Sequence, residues 1–270
     1  MNEIDKKSIA ENDNNRSRFI YDFLQKKKVK NLKTDTNIPK KIMQYWHSSK
    51  ELPKDVSKCI QSWKILEKQG FMFDFFDDES AKVFISQNLE KKHLNCYLKC
   101  HHPAMRSDYF RLCYLYISGG FYVDCDEFFL DNDITLFFSN NNIKIQPLCY
   151  SIKHNNMIEK EKFLYTPYDK NNIYYFNNDL IISPPQHPLI FFALERATNK
   201  LLKDTNIQNI QSTTGPGNLS ASVVYYLLEG ENELEIIEHA ISKNIWDLDY
   251  RKDDRNWRLY KGDKKKWFNR

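Results

Sequence analysis

Apolar residues recur along this chain with two alternating periods. Phe19, Ile20, Phe23 and Leu24 fall at helical spacing, and Lys26-Lys27-Lys28 closes the segment. Residues 1–36 therefore read as a charged helical extension. Asn37-Ile38-Pro39 breaks the pattern. Residues 42–46, Ile-Met-Gln-Tyr-Trp, read as a short buried strand. A helix is expected over residues 56–68, with Ile60, Trp63 and Leu66 on one face and Gly70 as its stop. Residues 71–76 read as a second strand. Strand, helix, strand is the opening of an α/β domain with a parallel sheet.

Further along, residues 104–117 read as a helix stopped by Gly119-Gly120, followed by the apolar run Phe121-Tyr122-Val123. Residues 180–183 read as a strand, Pro184-Pro185 as a turn, and 189–202 and 219–228 as helices. The Asn-rich stretches 140–142 and 171–178, and the segment 211–217, read as loops. The division expected is an extension at 1–36, one main domain over 37–250, and a tail over 251–270.

Composition narrows the class. The chain has 270 residues, 41% apolar and 14% aromatic, so it can bury a core and is not a disordered segment. No apolar run reaches the ~18 residues of a membrane span. The polar N-terminus has no secretory pattern, and a cytoplasmic location is expected. The six cysteines read as reduced thiols. His93, Cys96, Cys100, His101 and His102 lie within ten residues, too close for the paired segments of a zinc site, and read as a helix end and a loop. Charge is uneven. Residues 251–270 hold nine Lys/Arg against three Asp, with Trp257, Tyr260, Trp267 and Phe268 interleaved. Such a tail suits an anionic membrane surface; the alternative is a solvated end. No nucleic-acid partner is expected.

Chemistry concentrates where the third strand ends. Asp124 and Asp126 are one residue apart, and in an extended strand they would share a face with Cys125 opposite. Two neighbouring carboxylates repel unless a cation sits beside them, and Mg²⁺ or Mn²⁺ prefers such oxygens and bridges to phosphate. The seven glycines assemble neither a GxGxxG nor a P-loop, so a bound nucleotide would need metal and basic side chains for neutralisation. Asp108 and Arg111 share a helix face, with Arg106 and Ser107 beside them.

The stretch RSDYFRLCYLYISGGFYVDCD (residues 106–126) resembles the signature of glycosyltransferases with a DXD sugar-binding region. These are the family 32 type, which includes bacterial polysaccharide sugar transferases and yeast initiating mannosyltransferases; the glucosylating clostridial toxins are distant relatives. IPKKIMQYW and IQSWKILEKQGFMFDFFDDES resemble that family's opening elements, and NNDLIISPPQHPLI and TTGP its later ones, so the likeness spans residues 37–228. It implies a GT-A fold, Rossmann-like with added helices, and retaining transfer of a hexose or N-acetylhexosamine from a nucleotide sugar, a UDP-sugar first among these, with Mn²⁺ or Mg²⁺. By the same resemblance Asp126 and Asp124 hold the metal, and Asp124 also contacts sugar or ribose. Arg106, Asp108 and Arg111 bind the donor, Tyr122 lies near the ribose, Trp46 stacks on the base, and Asn178 sits near the reacting carbon. Asp108, Asp124 and Asn178 are the catalytic candidates.

For the last metal ligand the tail offers Asp247, Asp249, Asp253, Asp254 and Asp263, with no clean match. Tyr165, Tyr168, Tyr174 and Tyr175 are candidates for an acceptor groove. The expected acceptor is a glycan or lipid-linked glycan of capsule, lipopolysaccharide or other surface polysaccharide, reached from the inner face of the membrane. Three alternatives stand: a toxin-like enzyme with a protein acceptor, a haloacid dehalogenase-type phosphatase with Asp124 as nucleophile, and a non-catalytic sugar- or membrane-binding protein. The phosphatase motif usually stands near a domain's start, whereas here a strand–helix–strand unit precedes it.

Overall fold

The computed structural model describes residues 2–26, 37–203, 209–231, 233–238 and 240–260. Two helices, α1 (Glu3–Glu11) and α2 (Asp13–Lys26), open the chain. Strand β1 (Lys41–Tyr45), helix α3 (Lys54–Trp63) and strand β2 (Met72–Phe76) form the first crossover unit. The helix expected over 56–68 tightens to a 3₁₀ turn at Lys64–Gln69, and Gly70, at φ 82°, ends it. Helices α4 (Asp78–Asn88), α5 (Lys91–Lys99) and α6 (Pro103–Ser118) follow. The acidic Asp77 turns out to start α4, in a reciprocal cap with Ser80.

The rest of the chain alternates short strands and helices. In order come β3 (Gly120–Tyr122), β4 (Glu127–Phe129), β5 (Ile143–Ser151), β6 (Asn156–Ile158), α7 (Lys160–Phe163) and β7 (Asn172–Ser183). Then come α8 (Pro188–Lys203), α9 (Ile210–Thr213), α10 (Pro216–Leu228), β8 (Leu234–Ile236) and β9 (Ser242–Asn244). The segment 211–217 is thus not a plain loop: α9 ends in it and Pro216 starts α10. The Asn-rich stretch 171–178 is likewise not a loop but the first half of β7.

The main sheet runs in the order β2-β1-β3-β7-β5-β6, with β8 beside β5. β1 is parallel to both β2 and β3, as the strand–helix–strand pattern predicts. β7 then runs antiparallel to β3 and to β5. The expectation of a parallel sheet therefore applies to half of it, because β5 and β7 pair with each other through the β6 hairpin instead of through a crossover helix. The result is an α/β fold with a parallel half and an antiparallel half.

The pleat separates two cores. Ile42, Phe121 and Ile182 are neighbours across three strands and pack on Trp63 and Leu66. One residue on, Met43, Tyr122 and Ile181 face the larger core with Phe110, Leu189 and Val223. That larger core also takes in Ala10, Ile20 and Leu24 of α1 and α2. The Ser17 hydroxyl accepts the Tyr174 N–H at 2.9 Å, tying α2 to β7. The described part of the N-terminal extension is thus packed into the domain; Lys27 and Lys28 lie outside the described residues.

Helix α6 explains its own polar residues. From Met105 to Leu115 every side chain is buried, so this helix has no solvent face. Arg106, Ser107, Asp108 and Arg111 must then find partners inside the protein.

Candidate active site

Gly119 and Gly120 both have positive φ, 62° and 103°, and they turn the chain from α6 into β3. The strand stops at Tyr122, earlier than its apolar run suggests. Residues 124–127 form a turn closed by the Glu127 N–H on the Asp124 carbonyl at 3.2 Å. Asp124 and Asp126 therefore reach the same cleft from a turn, and not as same-face neighbours on a strand. Cys125 is buried between them, its Sγ donating to the Tyr45 carbonyl at 3.2 Å.

Each carboxylate has a distinct setting. Asp124 is the more open, with its side chain 34% exposed, and its Oδ1 accepts from Arg111 Nη2 at 3.1 Å and from the Tyr122 hydroxyl. Asp126 is buried. Its Oδ2 accepts from Tyr250 and Arg251, while its Oδ1 is buried with no hydrogen-bond partner. Burial first, and the Asp124 charge second, raise the Asp126 pKa. Two further carboxylates close the group. Asp179 accepts the Asp124 N–H at 2.8 Å, and Glu127 accepts from Ser242 and from Asn244. Burial, then Asp124, Glu127 and Asp126, push Asp179 well above the usual carboxylate range. Four acids thus share one wall, with Arg111 and Arg251 as cations against them.

The polar face of α6 forms the adjoining wall. Arg111 Nη2 pairs with Asp108 Oδ1 at 2.9 Å, and its guanidinium lies 4.1 Å from the Tyr122 ring centre. Asp108 also accepts the Asn178 amide at 2.8 Å and the Thr214 hydroxyl at 3.3 Å. Burial pushes Asp108 up to about 6, with Arg111 opposing. The helical i, i+3 pair, the carboxylate turn and β7 are in this way joined by one guanidinium.

Residues 53–148, from α3 through this turn into β5, match the family model described as glycosyltransferase sugar-binding region containing DXD motif. The chain carries a DXD-type glycosyltransferase region. A curated relative, an uncharacterized glycosyltransferase (L373) of Acanthamoeba polyphaga mimivirus, is 24% identical over 204 residues, covering 74% of this chain and 71% of the relative. A solved structure titled PaToxG glycosyltransferase aligns with a TM-score of 0.46 and 14% identity, over 95% of this chain and 97% of that one.

The remaining sequence candidates fall in different places. Trp46 lines the cleft, 8% exposed, with its ring edge-on to Tyr250 at 5.1 Å and its buried Nε1 without a partner. Arg106 does not line the cleft; it binds Asp78 at 2.9 Å and the Cys100 carbonyl at 3.3 Å, beneath Tyr45 and Tyr97. Tyr122 is fully buried behind Asp124. Of the four tyrosines considered for an acceptor, Tyr175 lines the cleft. Tyr174 is core, Tyr168 packs on Tyr21 and Arg18, and Tyr165 is 81% exposed away from the cleft.

The chain after Asn244 reaches the acids through other residues than its own aspartates. Asp247 and Asp249 pair with Lys252, and Asp253 pairs with Arg255; Asp263 lies outside the described residues. Tyr250 and Arg251 are what reach Asp126. Neither they nor Asp179 were marked by sequence. Asp179 stands next to Asn178, which was; Arg251 carries no local signal.

The His/Cys cluster reads as structural. His93 Nδ1 is 3.0 Å from the Tyr109 hydroxyl, and His102 Nδ1 accepts the Ala104 N–H at 3.1 Å as the cap of α6. Among the described residues no group of three or more His, Cys, Asp or Glu is gathered as a metal cage. The cleft itself holds about 1310 Å³, bounded by the carboxylate turn, the start of α6, the β5–β7 face and the chain from Asn244 to Arg258. That is ample for a nucleotide sugar and part of an acceptor.

Proposed function

We propose that the protein is a metal-dependent, retaining glycosyltransferase that moves a hexose or N-acetylhexosamine from a UDP-sugar to a glycan acceptor. The observation that carries this reading is Asp126 Oδ1: a buried carboxylate oxygen without a partner, beside the partly open Asp124. An acidic oxygen pair with one unsatisfied atom fits a hard divalent ion that completes its shell from a diphosphate and water. Asp126 and Asp124 would hold Mn²⁺ or Mg²⁺, which when bound would supply Lewis-acid stabilisation of charge on the departing diphosphate.

The chain's own groups carry the rest. Asp108 and Arg111 would hold donor-sugar hydroxyls, a role supported by Asn178 fixing the Asp108 carboxylate. Tyr122 and Arg111 brace Asp124. That bracing supports a holding role for Asp124 over nucleophilic attack of the phosphatase kind. Trp46, a cleft-lining residue whose indole N–H has no partner, would stack on the base. Negative charge from Asp108 and Asp124 near the sugar would ease positive charge on the reacting carbon. Tyr175 and Trp246, the latter 60% exposed, supply aromatic faces for an acceptor glycan.

A surface-polysaccharide acceptor, and a cytoplasmic, membrane-peripheral location through 251–270, belong to the same proposal. No described helix is long and apolar enough to cross a membrane. The test is hydrolysis of a panel of UDP-, GDP- and CMP-sugars with Mn²⁺, with EDTA and with Asp126→Asn. The expected result is metal-dependent release of one nucleotide, lost by at least about 100-fold in the variant. NMR of the transferred sugar then tests anomeric retention. Absence of both turnover and donor binding would overturn the reading.

A further inference from the structure

A nucleoside diphosphate needs positive charge from protein as well as from metal, and this chain has no glycine-rich phosphate loop to share the work. Among the described cationic side chains that line the cleft, most are spoken for. Arg111 is held by Asp108, Asp124 and the Asn178 carbonyl. Arg255 is held in a fork by Asp253, Arg16 by Asp13 and the Ala10 carbonyl, and Lys160 donates to the Ile237 carbonyl. Arg258 is not held by an acid, but it is exposed, stacks 4.4 Å from the Trp257 ring centre and hydrogen-bonds to none of the four acids.

Arg251 differs. Its Nη2 rests on Asp126 Oδ2 and on Asn244 Oδ1 at 2.8 Å, while its Nε is buried and has no partner. Its guanidinium lies 4.4 Å from the ring centre of Trp246 and its side chain is 10% exposed. Half of a planar fork is thus used and half is left over, on the very carboxylate whose other oxygen is unsatisfied. A guanidinium and a divalent ion on one carboxylate repel. A diphosphate brought in with the ion offers the guanidinium a better partner, since bidentate phosphate contacts are among its strongest.

We propose that Arg251 is a donor-diphosphate ligand that is parked on Asp126 until the cation and the donor arrive together. The inference rests on the metal-dependent reading above. It makes metal and nucleotide binding cooperative: the resting Arg251 competes with the ion, and the released Arg251 helps hold the nucleotide. The opposite signs separate this role from a structural one, which would weaken both.

The experiment is calorimetry on wild type, Arg251→Gln and Arg251→Lys, with thermal melting to show that each is folded. Mn²⁺ alone is titrated first; UDP is then titrated in saturating Mn²⁺, with GDP as a second nucleotide. In Arg251→Gln, Mn²⁺ alone should bind about tenfold tighter and the nucleotide about tenfold weaker. Arg251→Lys should recover part of the nucleotide affinity, and it serves in place of Arg251→Gln if that variant does not fold. Unchanged or weaker Mn²⁺ binding in both variants, or unchanged nucleotide binding, overturns the role of Arg251 and leaves the proposed function standing. Wild type that binds neither Mn²⁺ nor either nucleotide overturns both.

Discussion

The carboxylate of Asp179 accepts the backbone N–H of Asp124 at 2.8 Å, so a residue of β7 fixes where the carboxylate turn begins. Outer-shell contacts of this kind typically govern a metal site by 10–100-fold. Asp179→Ala should therefore lower metal-dependent donor hydrolysis by about 10–100-fold. Asp179→Asn keeps a carbonyl oxygen for the same N–H and should lose less. Steady-state rates with Mn²⁺ for the two variants check this ordering.

Asp108 sets a pH dependence. Its folded pKa, about 6, lies above the ordinary 3.8 because the site is buried. A raised carboxyl pKa contributes stability that is fully present below 3.8 and lost as pH rises through about 6. Asn cannot ionise and escapes that loss. Asp108→Asn should therefore gain on wild type by about 2 kcal/mol between pH 4 and pH 7.5, while its transferase activity falls. Denaturant melts of both proteins at these two pH values test the sign.

Gly120 sits at φ 103°, and a Cβ there would stand 2.8 Å from the Lys41 carbonyl oxygen in β1. The β1–β3 pairing leaves no room to relax, since Ile42 and Met43 are in register with Phe121 and Tyr122. Gly120→Ala should cost about 2–4 kcal/mol from backbone strain and the clash together. Chemical denaturation measures it, and a change below about 0.5 kcal/mol would show that the turn is not constrained.

The N-terminal helices should behave as core. Ile20 is completely buried against β7 and its neighbours, whereas Ile4 is 79% exposed. Ile20→Ala is expected to destabilise the whole protein by about 2–4 kcal/mol in one transition, and Ile4→Ala by less than about 0.5 kcal/mol. A separate, earlier transition for Ile20→Ala would mean that the extension folds on its own.

Much of the architecture was legible because its signals are local. α3, α6 and α8 follow from apolar period and from glycine or proline stops. The end of β7, residues 180–183, was legible; its first half was not, and the reason is chemical. Its first half is rich in Asn, a residue depleted in strands, because those amides are used by the site: Asn177 donates to Gln146 and Asn178 to Asp108. The sheet's antiparallel half was hidden for the same reason, since it depends on that strand.

The sequence by itself determined the element types, the α/β class, and the presence of two carboxylates just past a buried strand beside an Asp–Arg helix pair. These depend on spacing within about 20 residues, where backbone geometry alone fixes which side chains are neighbours. The tertiary structure decided which charges meet. Asp179 stands 55 residues from Asp124 and Arg251 stands 125 residues from Asp126, and no periodic pattern connects such positions. Burial decided the rest: it left Asp126 Oδ1 and Arg251 Nε without partners, and it turned Arg106 away from the cleft toward Asp78. A buried charge takes whichever partner the packing brings within reach, and only the assembled fold sets that reach.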